Sequence, residues 1–344
     1  MTATSGGEKV IQLAVLDPLL YGAARAFDYL GFRGQDMLDK VGDGIVQYGL
    51  SEDYFEKSDD VLQFVMNVGN FFVQNGYMSN ASVKHDGNML EVQFGNYRFL
   101  PLMRKLRDRN SCMISCPICT ATNAITKSVG GLSQRISENV TQDGTWILKV
   151  TIAPGTEHTE RTVFATKPGD LQSIDSGANL NKTIGIRAFQ SILYGLAYGF
   201  EFLGAQAQLL LDNVGSGIIE FMQEESKLTF PSQLEDALNV LSTFMSKGGL
   251  ADTIRIQVSK SEVRVHFENS RYLPVLQRLR QEDRKLVSCP FTLAARSLMK
   301  ARGLAVEDMN WQIAGENASL VMALVPVNER EFDEESVSRM MDGL

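Results

Sequence analysis

The sequence predicts an α+β protein: two tandem copies of an α-α-β-β-α-α-β-β unit, each with an antiparallel sheet. Three observations carry that prediction. The chain aligns with itself at an offset of 173 residues, so that LLYGAARAFDYLGFRGQDMLDKVGDGI (19–45) matches ILYGLAYGFEFLGAQAQLLLDNVGSGI (192–218). At the same offset FGNYRFLPLMRKLR (94–107) falls on FENSRYLPVLQRLR (267–280), and no gap is needed from about residue 16 to residue 152. Within each copy, helical periodicity gives way to period-two alternation and then returns. A repeat of roughly 140 residues is a domain and is too long for a solenoid unit.

The elements follow in order. Residues 17–49 read as a helical segment interrupted by glycines. In VLQFVMNVGNFFVQNG, Val61, Phe64, Val65, Val68, Phe71 and Phe72 recur at helical spacing, and Gly76 stops the helix. The counterpart residues Leu234, Ala237, Leu238, Leu241, Phe244 and Met245 end at Gly249. Leu90, Val92 and Phe94 alternate beside an Asp86-Gly87 turn, a hairpin signature that Ile254 to Phe267 repeats. Pro101 opens a short basic helix, and Cys116-Pro117 opens another that ends at Gly130-Gly131. A second hairpin turns at Asp143-Gly144.

The expected organisation is a first domain over 14–153, a linker over 154–186, a second domain over 187–326 and an acidic tail over 327–344. The copies would pair as a pseudo-dimer within the chain or across a homo-oligomer. With 344 residues, 44% of them hydrophobic, the chain has material for two ordinary domains. A net charge of −8 does not attract phosphate backbones, and MRKLRDR and QRLRQEDRK are short and acid-interrupted, so no nucleic-acid partner is expected. Residues 192–211 resemble a membrane span in apolar content. Their counterpart carries Arg25, Asp28 and Arg33, which points to close helix packing and no transmembrane segment. Four cysteines make no disulfide framework, and MTATSGGEKV shows no secretory signal, so a cytoplasmic location is expected.

Three cysteines crowd into SCMISCPIC (111–119). Cys112, Cys116 and Cys119 have the C-x3-C-x2-C spacing of some iron–sulfur sites, and Cys116-x2-Cys119 alone has a zinc-ligand spacing. The second copy keeps only Cys289, with Lys285 and Thr292 at the other two places. The favoured reading is a small buried cysteine at a helix start, with a thiolate at Cys116 or Cys119 able to hold a ligand covalently. Zinc and iron–sulfur are the weaker readings.

The unit order and the helices opening at SCPIC and SCPF resemble the 4-vinyl reductase domain, of the superfamily that includes subunits of the transport-particle (TRAPP) complex. The resemblance implies a binding or scaffold protein and not a catalyst. It would enclose an apolar or tetrapyrrole-like molecule, or assist assembly of a larger, for example photosynthetic, complex with protein partners. Copy one is the expected site, with Phe71, Phe72 and Phe94 lining a pocket, Arg98 clamping a carboxylate, and Cys116 and Cys119 at the mouth. Read from the residues alone, the aromatics are also an ordinary core, and Arg98, Arg271, Arg107 and Arg280 a solvated basic face. No Ser-His-Asp set, P-loop or dinucleotide fingerprint appears, so no enzyme is expected. Two alternatives remain open: a pure interaction module without ligand, and a metal or iron–sulfur protein using Cys112, Cys116 and Cys119.

Overall fold

The computed structural model describes residues 10–30, 33–86, 89–109, 116–128, 133–141, 145–152, 163–164, 183–204, 207–284 and 288–327. The protein is mixed α+β with antiparallel sheets. The first half contains β1 (Val10–Gln12), α1 (Leu13–Asp28), α2 (Arg33–Ser51), α3 (Val61–Gln74), β2 (Asn80–Asp86) and β3 (Met89–Gly95). It continues through α4 (Leu100–Asp108), α5 (Pro117–Ser128), β4 (Ser133–Val140) and β5 (Trp146–Ile152). After β6 (Val163–Phe164) the same order returns: β7 (Thr183–Gly185), α6 (Ile186–Glu201), α7 (Ala207–Glu225), α8 (Leu234–Lys247), β8 (Thr253–Val258), β9 (Glu262–Glu268), α9 (Leu273–Gln281), α10 (Pro290–Lys300), β10 (Leu304–Ala314) and β11 (Asn317–Pro326).

Two details differ from expectation. The glycine-interrupted first segment is two helices, not one. In the second half the break falls at Gly204, whose φ of +54° is left-handed backbone that ends a helix. Part of the expected linker is also a strand, since β6 pairs with β2 through Val83↔Val163 and covers that sheet edge. The acidic tail (328–344) and Cys112 lie outside the described residues.

In each half two helices pack on the half's own sheet, α3 and α5 in the first and α8 and α10 in the second. The sheet orders are β4-β5-β3-β2-β6 and β10-β11-β9-β8. α3 is set by an N-cap, since the Asp60 carboxylate accepts from the amides of Leu62 at 2.9 Å and Gln63 at 3.3 Å. Its buried face carries Phe64, Val65, Val68 and Phe72 onto the sheet. Asp39 of α2 anchors α5 by pairing with Asn123 and Lys127. Asp212 of α7 does the same for α10 through Arg296 at 3.0 Å and Lys300 at 3.7 Å.

The halves meet crosswise through their first helices. α1 packs on α7 and α2 on α6. β1 pairs antiparallel with β7, with Ile11 opposite Ile184. The Gln12 amide donates to the Gly248 carbonyl at 2.9 Å, and the Gly185 amide donates to the Asn75 carbonyl at 2.7 Å. Glycine allows the crossing helices to touch at the backbone: a Cβ on Gly217 would sit 2.6 Å from the Gly22 Cα, and one on Gly44 would sit 2.9 Å from the Gly195 Cα. Across the same seam Lys105 of α4 pairs with Glu224 at 3.0 Å and Glu225 at 2.5 Å, and Arg109 pairs with Glu220 and Glu224. The basic stretch 103–109 is thus docked on the acidic end of α7. Among the described residues no helix is long and apolar enough to cross a membrane.

Candidate ligand cavity and thiol pair

A narrow apolar gap lies between α3, the β2–β3 hairpin and α5. Val65, Met66 and Gly69 face it from the helix, Ala81, Val83, Val92 and Phe94 from the sheet, and Ile118 and Thr122 from α5. Its free volume is about 10 Å³, room for one water-sized sphere. At the matching positions the second half carries five larger side chains, two smaller ones (Asn239 for Met66 and Ala295 for Thr122) and two that are unchanged, Val265 and Phe267. Leu238 stands for Val65, Ser242 for Gly69, Ile254 for Ala81, Ile256 for Val83 and Phe291 for Ile118. Phe291 closes edge-to-face on Phe267 at 5.5 Å. A methyl on Gly69 would only touch the Ala81 methyl at 3.7 Å, so packing does not demand a glycine there.

The expected site residues separate. Phe94 reaches the gap. Phe71 stacks on Tyr54 at 5.4 Å, and Phe72 packs on Tyr77 at 5.5 Å, both away from it. Arg98 is half-buried, and its Nε donates to the Gly76 carbonyl at 3.2 Å, tying the turn after α3 to the start of α4. The solvated basic face does not describe these arginines. Arg271 pairs with Asp252 at 2.5 Å, and Arg280, although exposed, donates to the Trp311 carbonyl. The side chain of Arg107 lies outside the described residues.

Cys116 and Cys119 do come together. The Cys116 carbonyl accepts the first helical bond of α5 from the Thr120 amide at 3.1 Å, which makes Cys116 the N-cap. Its sulfur accepts from the Cys119 amide at 3.2 Å and lies 2.8 Å from the Cys119 sulfur. Cys116 is wholly buried and Cys119 half-buried. The Tyr97 hydroxyl meets the Cys116 sulfur at 2.7 Å. Among the described residues the buried Tyr77 hydroxyl has no hydrogen-bond partner, and Cys116, Cys119 and Asp17 all act on its ionisation. Burial first, then these neighbours, holds the Tyr77 and Tyr97 phenols well above their usual range.

Sequence reading missed Asp17, Tyr77 and Tyr97. The repeat contained the signal, because the matching residues are Gln190, Leu250 and Ser270, with Thr292 for Cys119. Cys116, Cys119, Tyr77 and Tyr97 lie together in the first half, with Asp17 acting on Tyr77, whereas in the second half Tyr272 lies beside Cys289. Among the described residues no three His, Cys, Asp or Glu side chains converge as a metal site. Comparison with protein-family models, with curated proteins and with solved structures finds no match.

Burial raises the Asp17 carboxyl to about 7, from its ordinary value of 3.8. Because the folded protein then holds a proton that the unfolded chain has lost, stability falls as pH rises between about 4 and 7 and levels off above. The Asp17→Asn variant, which matches the amide Gln190, is expected to be more stable than the parent at pH 8 and equal to it at pH 4. Urea midpoints at the two pH values check this, and an equal or larger pH slope in the variant refutes it.

Proposed function

We propose that the chain is a non-catalytic binding protein made of two copies of one 4-vinyl-reductase-like module, over 14–153 and 187–326, packed as a pseudo-dimer within one chain. The first copy takes a slender apolar ligand, such as an acyl or other hydrocarbon chain, between α3, β2–β3 and α5. The second copy is its structural partner. The observation that carries this reading is the difference between equivalent places: Gly69, Ala81 and Ile118 line a gap, and the larger Ser242, Ile254 and Phe291 stand at the matching positions. A gap lined almost wholly by apolar atoms selects an apolar guest. Parting α3 from the sheet widens it by sliding one packed layer, which suits a thin chain better than a rigid tetrapyrrole plane. An assembly role fits the same architecture, with the ligand-bearing half coupled through the crossed helices to a surface for protein partners.

The test uses a naturally fluorescent polyene fatty acid as probe and the Gly69→Ala/Ala81→Val variant. The parent is expected to bind saturably with one site per chain. The variant is expected to bind at least about tenfold more weakly, equivalent to ~1.4 kcal/mol. Replacing a helical glycine by alanine favours the folded state by about 1 kcal/mol, so weakened binding would not reflect unfolding. Equal binding by both proteins removes the gap as the site. Failure of the parent to bind favours the module that only contacts other proteins. A tetrapyrrole absorption band in protein purified from its native host replaces the slender ligand with a macrocycle.

A further inference from the structure

We propose that Cys116 and Cys119 form a reversible disulfide by exchange with a small-molecule disulfide, giving the first half a two-electron redox centre. The inference does not depend on the apolar ligand.

The geometry supplies each part. The two sulfurs are already in contact at 2.8 Å across the first turn of a twelve-residue helix. An N-cap residue and N3 lie on the same side of the chain, so a bond between them requires the sulfurs to close without unwinding the turn. The Cys119 amide donates to the Cys116 sulfur at 3.2 Å, which fixes the cap sulfur against the first turn of α5. Tyr97 offers a further hydroxyl at 2.7 Å. The Tyr77 hydroxyl, fully buried and near the pair, has no hydrogen-bond partner among the described residues. The second half keeps the cap sulfur Cys289, which accepts from Thr292 in its own first turn and has the buried Tyr272 phenol beside it, but it lacks the second sulfur, because Thr292 stands where the first half has Cys119.

Unequal exposure orders the steps. Cys119, half-buried, is the attacking thiolate; Cys116, wholly buried, is the resolving one. Cys119 attacks one sulfur of an external disulfide RSSR, forming Cys119–S–S–R and expelling RS⁻, which takes up the proton lost by Cys119. The Cys116 thiolate then attacks the Cys119 sulfur and expels the second RS⁻, which takes up the proton lost by Cys116. Two cysteine sulfurs are oxidised, the two sulfurs of RSSR are reduced to 2 RSH, and the reverse sequence restores the dithiol.

The full chain is equilibrated in glutathione buffers of graded ratio, alkylated in acid-quenched aliquots and mapped by peptide mass. The expected result is joint loss of the Cys116 and Cys119 thiols in one transition, a Cys116–Cys119 linked peptide, and an unmodified Cys289. Dithiothreitol restores both thiols. In Cys116→Ser the first step proceeds and the second cannot, so a glutathione adduct accumulates on Cys119. In Cys119→Ser, Cys116 stays unmodified over the same range. Retention of both thiols in oxidising buffer overturns the proposal. So does a bond from either cysteine to Cys112, or a stable glutathione adduct on Cys119 of the parent. Circular dichroism of each variant separates loss of fold from loss of chemistry, and the parent's linked peptide is decisive without any variant.

Discussion

Valine in place of Gly22 is expected to unfold both halves together. Gly22 lies where α1 crosses α7, against the backbone and side chain of Val214. The opposite crossing, α6 over α2, shows the same contact: a Cβ on Gly195 would lie 2.6 Å from the Val41 carbonyl and 2.5 Å from the Ile45 side chain. A carbonyl in a helix cannot turn aside without losing its own hydrogen bond. The two helices must therefore separate, and Tyr21, Val214 and Ile218 lose their packing with them. Overpacking plus that loss gives a cost of ~3 kcal/mol, or roughly 4 °C in Tm for a cooperative unit of this length. The chain has two tryptophans, Trp146 in the first half and Trp311 in the second, so denaturation followed in Trp146→Phe and Trp311→Phe backgrounds reads each half separately. Both transitions should shift by the same amount, because β1 belongs to one half and caps the other. A shift confined to the first half would mean that the crossed helices are not a common core. Gly69→Ala is the control, since its methyl finds ordinary contact space.

How much of this was legible follows from the kind of signal each feature leaves. α3, both β2–β3 and β8–β9 hairpins and the Cys116-Pro117 helix start are local patterns of period, turn residue and cap. They stand where the sequence placed them. The split of the first segment into two helices was hidden, because a continuous apolar run does not show where left-handed backbone intervenes. Nor did a helical stripe say which aromatic faces a gap: Phe71 and Phe94 have equal claims on paper, and only packing sends one to Tyr54 and the other to the opening. Asp17, Tyr77, Tyr97 and Cys116 come from four separate segments, and no spacing rule joins them. The gapless self-alignment also fails at one place. Phe94 pairs with Trp146, but Phe267 pairs with Ala318, so the offset falls from 173 to 172 at the last strand. The final turn is one residue shorter in the second half. A slip of one residue in a strand exchanges its faces, so the slip is what keeps Ala318 buried where the gapless register would bury Ser319.

That slip sets the second large effect, the loss expected for Trp146→Ala. Trp146 is wholly buried, parallel to Tyr97 at 5.1 Å and to Phe94 at 5.4 Å. Truncating such a residue costs ~3–5 kcal/mol, since neighbours fixed in a sheet collapse only in part into the space left. Trp311 fills the corresponding volume from the neighbouring strand β10, stacks on Phe267 at 5.5 Å, and keeps 7% of its surface exposed. Phe291 shares that space, so Trp311→Ala is expected to cost less, by at least about 1 kcal/mol. The first substitution also reaches the thiols. Without the indole, the Tyr97 ring has lost the surface that holds its hydroxyl against the Cys116 sulfur, and Cys119 should alkylate several times faster in native buffer at temperatures well below unfolding. Denaturant midpoints and native-state alkylation rates of the two variants measure the two effects independently. Equal destabilisation by both variants would show that strand origin does not matter to this core. An unchanged alkylation rate in Trp146→Ala would show that Tyr97 is held by the sheet and not by the stack.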